Sequence, residues 1–123
     1  MPSVASKPPK PGFVKILFDQ NTPAPLRHAL PGHEIATAYE HGWHTLQNGE
    51  LLAAAETAGY ELLLTADQNL RYQQSLAGRR IAIAVLMSTD WRLIKLHIQY
   101  IAEAIEALAP GEYLEIPMPP LMA

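Results

Sequence analysis

The sequence contains three aspartates, and each follows a short apolar run. Asp19 ends the segment "VKILFD", Asp67 ends "ELLLTAD", and Asp90 comes soon after "IAIAVLM". The carboxyl ends of parallel strands meet at one edge of a sheet, and ligands bind there at the point where strand order reverses. If the first strand is central, with the third and fourth strands on its two sides, we expect these carboxylates to converge.

Converging carboxylates repel each other and raise one another's pKa unless a cation joins them. Oxygen ligands suit the hard divalent ions Mg²⁺ and Mn²⁺, and the chain has no cysteine that could offer sulfur. Such an ion can activate water and offset the charge of a phosphodiester. Asp19 and Asp67 therefore predict metal-assisted phosphodiester hydrolysis.

Each aspartate also has a purely structural interpretation. Asp90 is a natural N-cap for the helix that follows it, and Asp67 can cap a short helix. Asp19 has less reason to act as a cap, because Thr22 and Pro23 already provide the cap and first residue of the next helix. Asp19 is therefore the strongest functional candidate of the three.

The elements that must position these residues are strands alternating with helices. Strands are predicted at residues 14–18, 34–38, 61–67, 81–87 and 112–116, the last as an edge strand. Helices are predicted at residues 22–30, 49–58, 68–76 and 90–108, with Asn48 as the cap of the second and an apolar stripe on the fourth. This alternation predicts a three-layer α/β/α fold with a parallel sheet of four to five strands.

Composition predicts one domain and restricts its function. The chain has 123 residues, of which 49% are hydrophobic, and a net charge of −3. We expect one domain at residues 13–117, between a Pro-rich tail at 1–12 and a second tail at 118–123. The charge argues against broad electrostatic binding of nucleic acid. No run of roughly 18 apolar residues is present, and the N-terminus does not resemble a secretory signal, so we expect a cytoplasmic location.

The segments "ILFDQN" and "LLTADQNL", in that order and at that spacing, carry a family resemblance. The sequence over residues 14–116 resembles bacterial PIN-like proteins related to the VapC-type toxin ribonucleases of toxin–antitoxin pairs. The resemblance implies a PIN-like fold and an acidic Mg²⁺ or Mn²⁺ site that cleaves RNA. It also implies a cognate antitoxin as partner, and we expect a homodimer.

In this resemblance Asp19 matches the acid of the first strand, and Asp67 matches the acid after the third. Asn48 stands where relatives often have an acid that opens a helix, and Asn69 stands near Asp67 where relatives often have a further aspartate. An asparagine offers a carbonyl oxygen without charge, so the pull on a cation is weaker. Glu50 can substitute only with a shifted register, because it points about 200° around the helix from Asn48.

Three arginines near the third and fourth strands are candidate RNA contacts. Arg71, Arg79 and Arg80 flank the short helix that follows Asp67, where they could bind phosphates. The simpler interpretation is a solvated basic face.

The segment "EHGWH" offers a second set of candidates. His41 and His44 have a spacing that can bind zinc on a helix, but Gly42 indicates a loop and no third ligand is evident. Trp43 either covers the edge of the core, which we favour, or stacks on a base.

Three functions follow from these residues. The first is a ribonuclease toxin, weakened by Asn48 and Asn69. The second is a catalytically inactive PIN-like module that binds RNA or a partner protein. The third is a regulatory or scaffold subunit that acts through homodimerisation.

Overall fold

A computed structural model describes residues 14–68 and 78–118. In this part of the chain one all-parallel sheet contains five strands, in the order β2-β1-β3-β4-β5. The strands are β1 (Lys15–Phe18), β2 (Glu34–Thr37), β3 (Leu62–Thr65), β4 (Ala82–Leu86) and β5 (Tyr113–Ile116). Each lies within the run predicted for it, and β5 is an edge strand as expected. The predicted α/β class and parallel sheet are confirmed.

The described helices are α1 (Asn48–Thr57), α2 (Trp91–Ile94) and α3 (Ile98–Ala107), with 3₁₀ helices at Ala24–Ala29 and Lys95–His97. The single helix predicted at 90–108 is therefore divided by a 3₁₀ turn. The helix predicted at 22–30 is a 3₁₀ helix, and it contains Pro25, which has no N–H to donate. None of these helices has the length and apolar character needed to cross a bilayer. The helix predicted at 68–76 and both tails lie largely outside the described residues.

The sheet buries both of its faces. Ile16 and Phe18 of β1 belong to one apolar cluster, and Leu17 between them belongs to a second, because alternate side chains of a strand point to opposite faces. The 3₁₀ helix Ala24–Ala29 and α3 cover the first face, and α1 covers the second. The chain therefore forms three layers, with helices on both sides of the sheet.

The position of β1 differs from the arrangement considered above. β1 lies between β2 and β3, while β4 lies beyond β3 rather than beside β1. Strand order therefore reverses between β1 and β3, the position at which open α/β sheets bind ligands. Asp19 follows β1 and Asp67 follows β3, whereas Asp90 follows β4, one strand further away.

Two helix caps can be compared with the sequence. Asp90 is the N-cap of α2, where its carboxylate accepts a hydrogen bond from the Arg92 backbone N–H at 2.9 Å, so this prediction is confirmed. The N-cap of α1 is Gln47, one residue before the predicted Asn48. The Glu50 carboxylate accepts the Gln47 backbone N–H at 3.0 Å and thereby closes the first turn of α1.

The Glu56 carboxylate joins α1 to the beginning of β4. One oxygen accepts a hydrogen bond from Arg79 Nη1 at 3.1 Å, and the other accepts the backbone N–H groups of Arg80 and Ile81 at 2.6 and 3.1 Å. Burial alone would raise the pKa of Glu56, but the hydrogen bonds from Ile81, Arg80 and Arg79 outweigh it and hold the pKa below its ordinary value.

We expect Glu56→Gln to lower the free energy of unfolding by roughly 1–2 kcal/mol at pH 7, because a charged acceptor of three hydrogen bonds is lost. A carboxylate whose pKa is lowered by folding stabilises the protein at pH values above its ordinary pKa of 4.5. This contribution disappears as the pH falls through the pKa of the folded state. The difference between variant and parent should therefore shrink in acid. Urea unfolding at several pH values measures it, and Glu103→Gln, at an exposed site on α3, is the control.

Candidate functional site

The candidate site lies where β1 and β3 end. Asp19 directly follows β1, and its backbone N–H donates to the Leu64 carbonyl at 3.3 Å. This bond extends the pairing of the two strands past the last residue of β1. It holds the half-buried Asp19 side chain at the carboxyl edge of the sheet.

Three groups approach the Asp19 carboxylate. The Thr65 hydroxyl donates to Oδ2. The Asn21 backbone N–H and the Thr22 hydroxyl both lie 3.0 Å from Oδ1. The Thr22 hydroxyl also lies 2.6 Å from the Leu64 carbonyl oxygen, and its single hydrogen serves one of these acceptors at a time. Both carboxylate oxygens are therefore oriented by neutral donors.

Thr65 connects the two aspartates of the site. Its hydroxyl donates to Asp19 and accepts the Asp67 backbone N–H at 3.0 Å. Thr65 is fully buried at the end of β3, so its position follows from the packing of the strand. One hydroxyl therefore fixes the Asp19 side chain and the Asp67 main chain relative to each other.

The pKa of Asp19 is raised above its ordinary value. Burial is the largest cause, the hydrogen bonds from Thr65, Thr22 and Asn21 oppose it, and the charge of Asp67 raises the pKa further. The repulsion between the two carboxylates is thus the smallest of these effects, and burial dominates the pKa of Asp19. A positive charge between them would relieve that repulsion.

A small pocket of about 80 Å³ lies beside Asp19. It is enclosed by the residues that follow β1, the loop after β2 and the first turns of α1, and Trp43 and Leu51 contribute its apolar side. A pocket of this size has room for a few water molecules. It is too small to enclose a nucleotide, so a polymer would have to pass over it.

The aromatic loop after β2 borders this pocket. Trp43 packs against the second apolar cluster, as favoured from the sequence, and it also lines the pocket. The His41 ring stacks on Trp43 with centroids 4.1 Å apart, and His41 Nε2 lies 2.6 Å from Tyr60 Oη. The His44 ring contacts Tyr39 instead. His41 and His44 thus have separate aromatic partners.

Within the described residues, the structure does not bring the other predicted site residues together around Asp19 and Asp67. Glu50 caps α1, as described above. Asn48 is the first residue of α1, but its side chain lies outside what the structure describes, as do Asn69 and Arg71. In residues 14–68 and 78–118 there is no group of three acidic, histidine or cysteine side chains placed to hold a metal.

The structure does not place Arg79 and Arg80 beside Asp19. Both precede β4, at the amino-terminal edge of the sheet, whereas Asp19 follows the carboxyl end of β1. The Arg79 guanidinium is bound to Glu56. The expectation that these arginines flank the acidic site fails because a parallel sheet separates the beginnings of strands from their ends.

Compared with protein-family models, curated proteins and solved structures, the chain gives no match. The PIN-like assignment thus remains a prediction from the residues quoted above.

Sequence reasoning missed the role of Thr22. It was expected to cap a helix, but its hydroxyl is buried and directed at Asp19 and Leu64. The available signal was a threonine three residues after an aspartate, a spacing that allows local side-chain hydrogen bonds. Thr65 is a second hydroxyl of the site, and it binds both an aspartate side chain and a backbone N–H.

We expect Thr65→Val to raise the pKa of Asp19 above that of the parent protein, because the variant loses a hydrogen bond that stabilises the ionised carboxylate. Thr65→Ser keeps the hydroxyl and should leave the pKa near the parent value. Carbonyl ¹³C NMR titration of Asp19 distinguishes the two variants. Equal pKa values in both would show that the Thr65 hydroxyl does not stabilise the carboxylate.

We expect Asp19→Asn to raise the midpoint of thermal unfolding at pH 7. A carboxyl group whose pKa is raised by folding stabilises the protein at pH values below its ordinary pKa of 3.8. That contribution is lost as the pH rises through the pKa of the folded state. At neutral pH the ionised Asp19 therefore costs stability, which the amide restores. Calorimetry from pH 4 to 7 should show a gain that grows with pH, and a lower midpoint at pH 7 would contradict it.

Proposed function

We propose that the protein is a PIN-like, metal-dependent ribonuclease and the toxin of a toxin–antitoxin pair. The observation that carries this proposal is that Asp19 and Asp67 follow the adjacent strands β1 and β3 at the switch point of the sheet and are both bound to the Thr65 hydroxyl. The three-layer parallel fold is compatible with a PIN-like domain without being specific to one.

The donor set fits a weakly held Mg²⁺ or Mn²⁺. Mg²⁺ typically keeps several waters and binds through one or two carboxylates together with substrate phosphates. Asp19 and Asp67 supply two carboxylates, and the adjacent pocket has room for water. Asn48 and Asn69 are proposed as further, uncharged ligands. The Glu50 carboxylate already caps α1, so we assign it a structural role ahead of a catalytic one.

The residues around Asp19 prepare it for this role. Thr65 and Thr22 orient its two oxygens and favour its ionised form against the effect of burial. Thr65 also holds the backbone of Asp67 at the same edge of the sheet. A divalent ion, when bound, supplies positive charge against the scissile phosphate and activates water. Hydrolysis of this kind needs no covalent intermediate with the protein.

An exposed apolar pair supports the proposed homodimer. Leu96 and Tyr100 are 53% and 45% exposed and lie four residues apart, so they share one side of the helical segment that contains the second 3₁₀ helix and α3. A second copy, or the antitoxin, would cover them. We propose a cytoplasmic location for such a pair.

A second candidate function is a catalytically inactive module that keeps the fold and binds RNA or a partner protein. The observation that favours it is the lack of a third metal-ligating side chain near Asp19 and Asp67 in the described residues. In that case RNA would bind over Trp43 and the acidic pair without being cut.

We expect single-stranded RNA to be cleaved in the presence of Mn²⁺ and to remain intact with a chelator. Asp19→Asn and Asp67→Asn should each reduce the rate on the order of 100-fold, because each removes charge that holds the cation. Asp90→Asn should keep the parent rate, because asparagine also caps helices well. Cleavage that survives both of the first two changes would indicate a contaminating nuclease.

RNA binding is followed separately by fluorescence. In Trp91→Phe the remaining tryptophan, Trp43, lines the pocket beside Asp19, so its emission should change when RNA covers that pocket. An emission change without cleavage supports the binding module. No change and no cleavage would reject both RNA functions.

A further inference from the structure

A cavity of about 310 Å³ opens at the amino-terminal edge of the sheet, the edge opposite Asp19. Val14, Leu62 and Ala82, at the beginnings of three neighbouring strands, form its floor, and Ile105 and Leu108 of the α3 region form a wall. Its volume lies at the lower end of the range for small-molecule sites, about 300–1,000 Å³. It is separate from the acidic pocket and has no part in the proposed RNA chemistry.

Three charged residues also line this cavity, namely Glu56, Glu61 and Arg80. Glu56 is committed to Arg79 and to two backbone N–H groups, as described above. One oxygen of Glu61 accepts the Lys15 backbone N–H at 2.9 Å. These carboxylates are therefore engaged in holding the fold together.

The side chain of Arg80, unlike those of Glu56 and Glu61, is not engaged in the part of the fold that the structure describes. Its backbone N–H donates to Glu56, but its exposed guanidinium has neither a hydrogen bond nor an ion pair with any residue in the described part of the chain. Arg80 is thus a charged donor group at an apolar cavity with no assigned acceptor. A guanidinium in this state is suited to a planar carboxylate, which it can bind through two parallel hydrogen bonds.

We propose that this cavity binds a small apolar carboxylate, an aliphatic or aromatic acid whose tail contacts Leu62, Ile105 and Leu108 and whose carboxylate pairs with Arg80. The apolar wall favours the tail by removing it from water. The charge of Arg80 selects an acid over an alcohol of the same length. The negative charge of Glu61 at the same cavity opposes the positive charge of Arg80, so a ligand with one carboxylate is favoured over one with two.

Octanoate is the probe for this proposal, with 1-octanol as the uncharged analogue and octylamine as the cationic one. Isothermal titration calorimetry on the full chain should show octanoate binding roughly tenfold or more tightly than 1-octanol, because a hydrogen-bonded ion pair is added to the same apolar contact. Octanoate should also raise the midpoint of thermal unfolding, as any ligand of the folded state does.

Four variants locate the binding site. Arg80→Gln should bring octanoate down to the affinity of 1-octanol, and Arg92→Gln, at an exposed arginine that pairs with Asp90 on α2, should leave octanoate binding unchanged. Ala109→Trp places a large ring at the cavity and should weaken octanoate and 1-octanol together. Asp19→Asn should not alter octanoate binding. The outcome of this test is therefore independent of whether the protein is a ribonuclease.

The proposal is overturned by octanoate binding no tighter than 1-octanol, by octylamine binding best, or by Arg80→Gln binding octanoate as the parent does. The absence of binding by all three probes overturns it as well.

Discussion

The candidate site depends on an ionisable carboxylate held in a partly buried position by two hydroxyl groups. Asp19 gains hydrogen bonds from Thr65 and Thr22 and loses hydration, and the net effect is a raised pKa. A purely structural aspartate usually shows the opposite balance, as Asp90 does, where hydrogen bonds from Arg92 lower the pKa. The fold thus maintains an unfavourable charge at the β1–β3 junction, which is a common property of functional sites.

The parallel sheet separates two chemically different regions. The carboxyl edge carries Asp19, Asp67 and the pocket beside Trp43, whereas the amino-terminal edge carries Arg80 and the larger apolar cavity. Strands of four to five residues span roughly 13–17 Å. Side chains at the two edges therefore cannot act on one small ligand, which is why arginines near β4 in sequence do not assist the acidic pair.

Much of the fold could be predicted from local patterns. The continuous apolar runs of β3 and β4 indicate strands buried on both faces, and the structure shows every residue of both strands buried. The cap at Asp90 followed from residue type alone. The 3₁₀ form of the helix at Ala24–Ala29 and the break at Lys95–His97 were not predicted, because a hydrophobic period of 3.6 does not reveal which hydrogen bonds a short segment makes.

The candidate site could be predicted only in part. Asp19 and Asp67 could be identified because the chain has only three aspartates and each follows an apolar run, but the use of Thr22 depends on where the Leu64 carbonyl lies. That carbonyl belongs to a residue 42 positions further along the chain. The order of β3 and β4 relative to β1 likewise depends on packing between distant segments, which no local pattern encodes.

The hydrogen bond from Thr65 to Asp19 joins residues separated by 46 positions, and it requires β1 and β3 to be paired. Parallel pairing of this kind needs a long crossover and forms slowly relative to local contacts. During synthesis the acidic pair is therefore absent until β3 has left the ribosome and docked on β1. A nascent or proteolytically shortened chain lacking β3 would carry Asp19 as an ordinary solvated acid, so any activity of this site begins only after β3 has docked on β1.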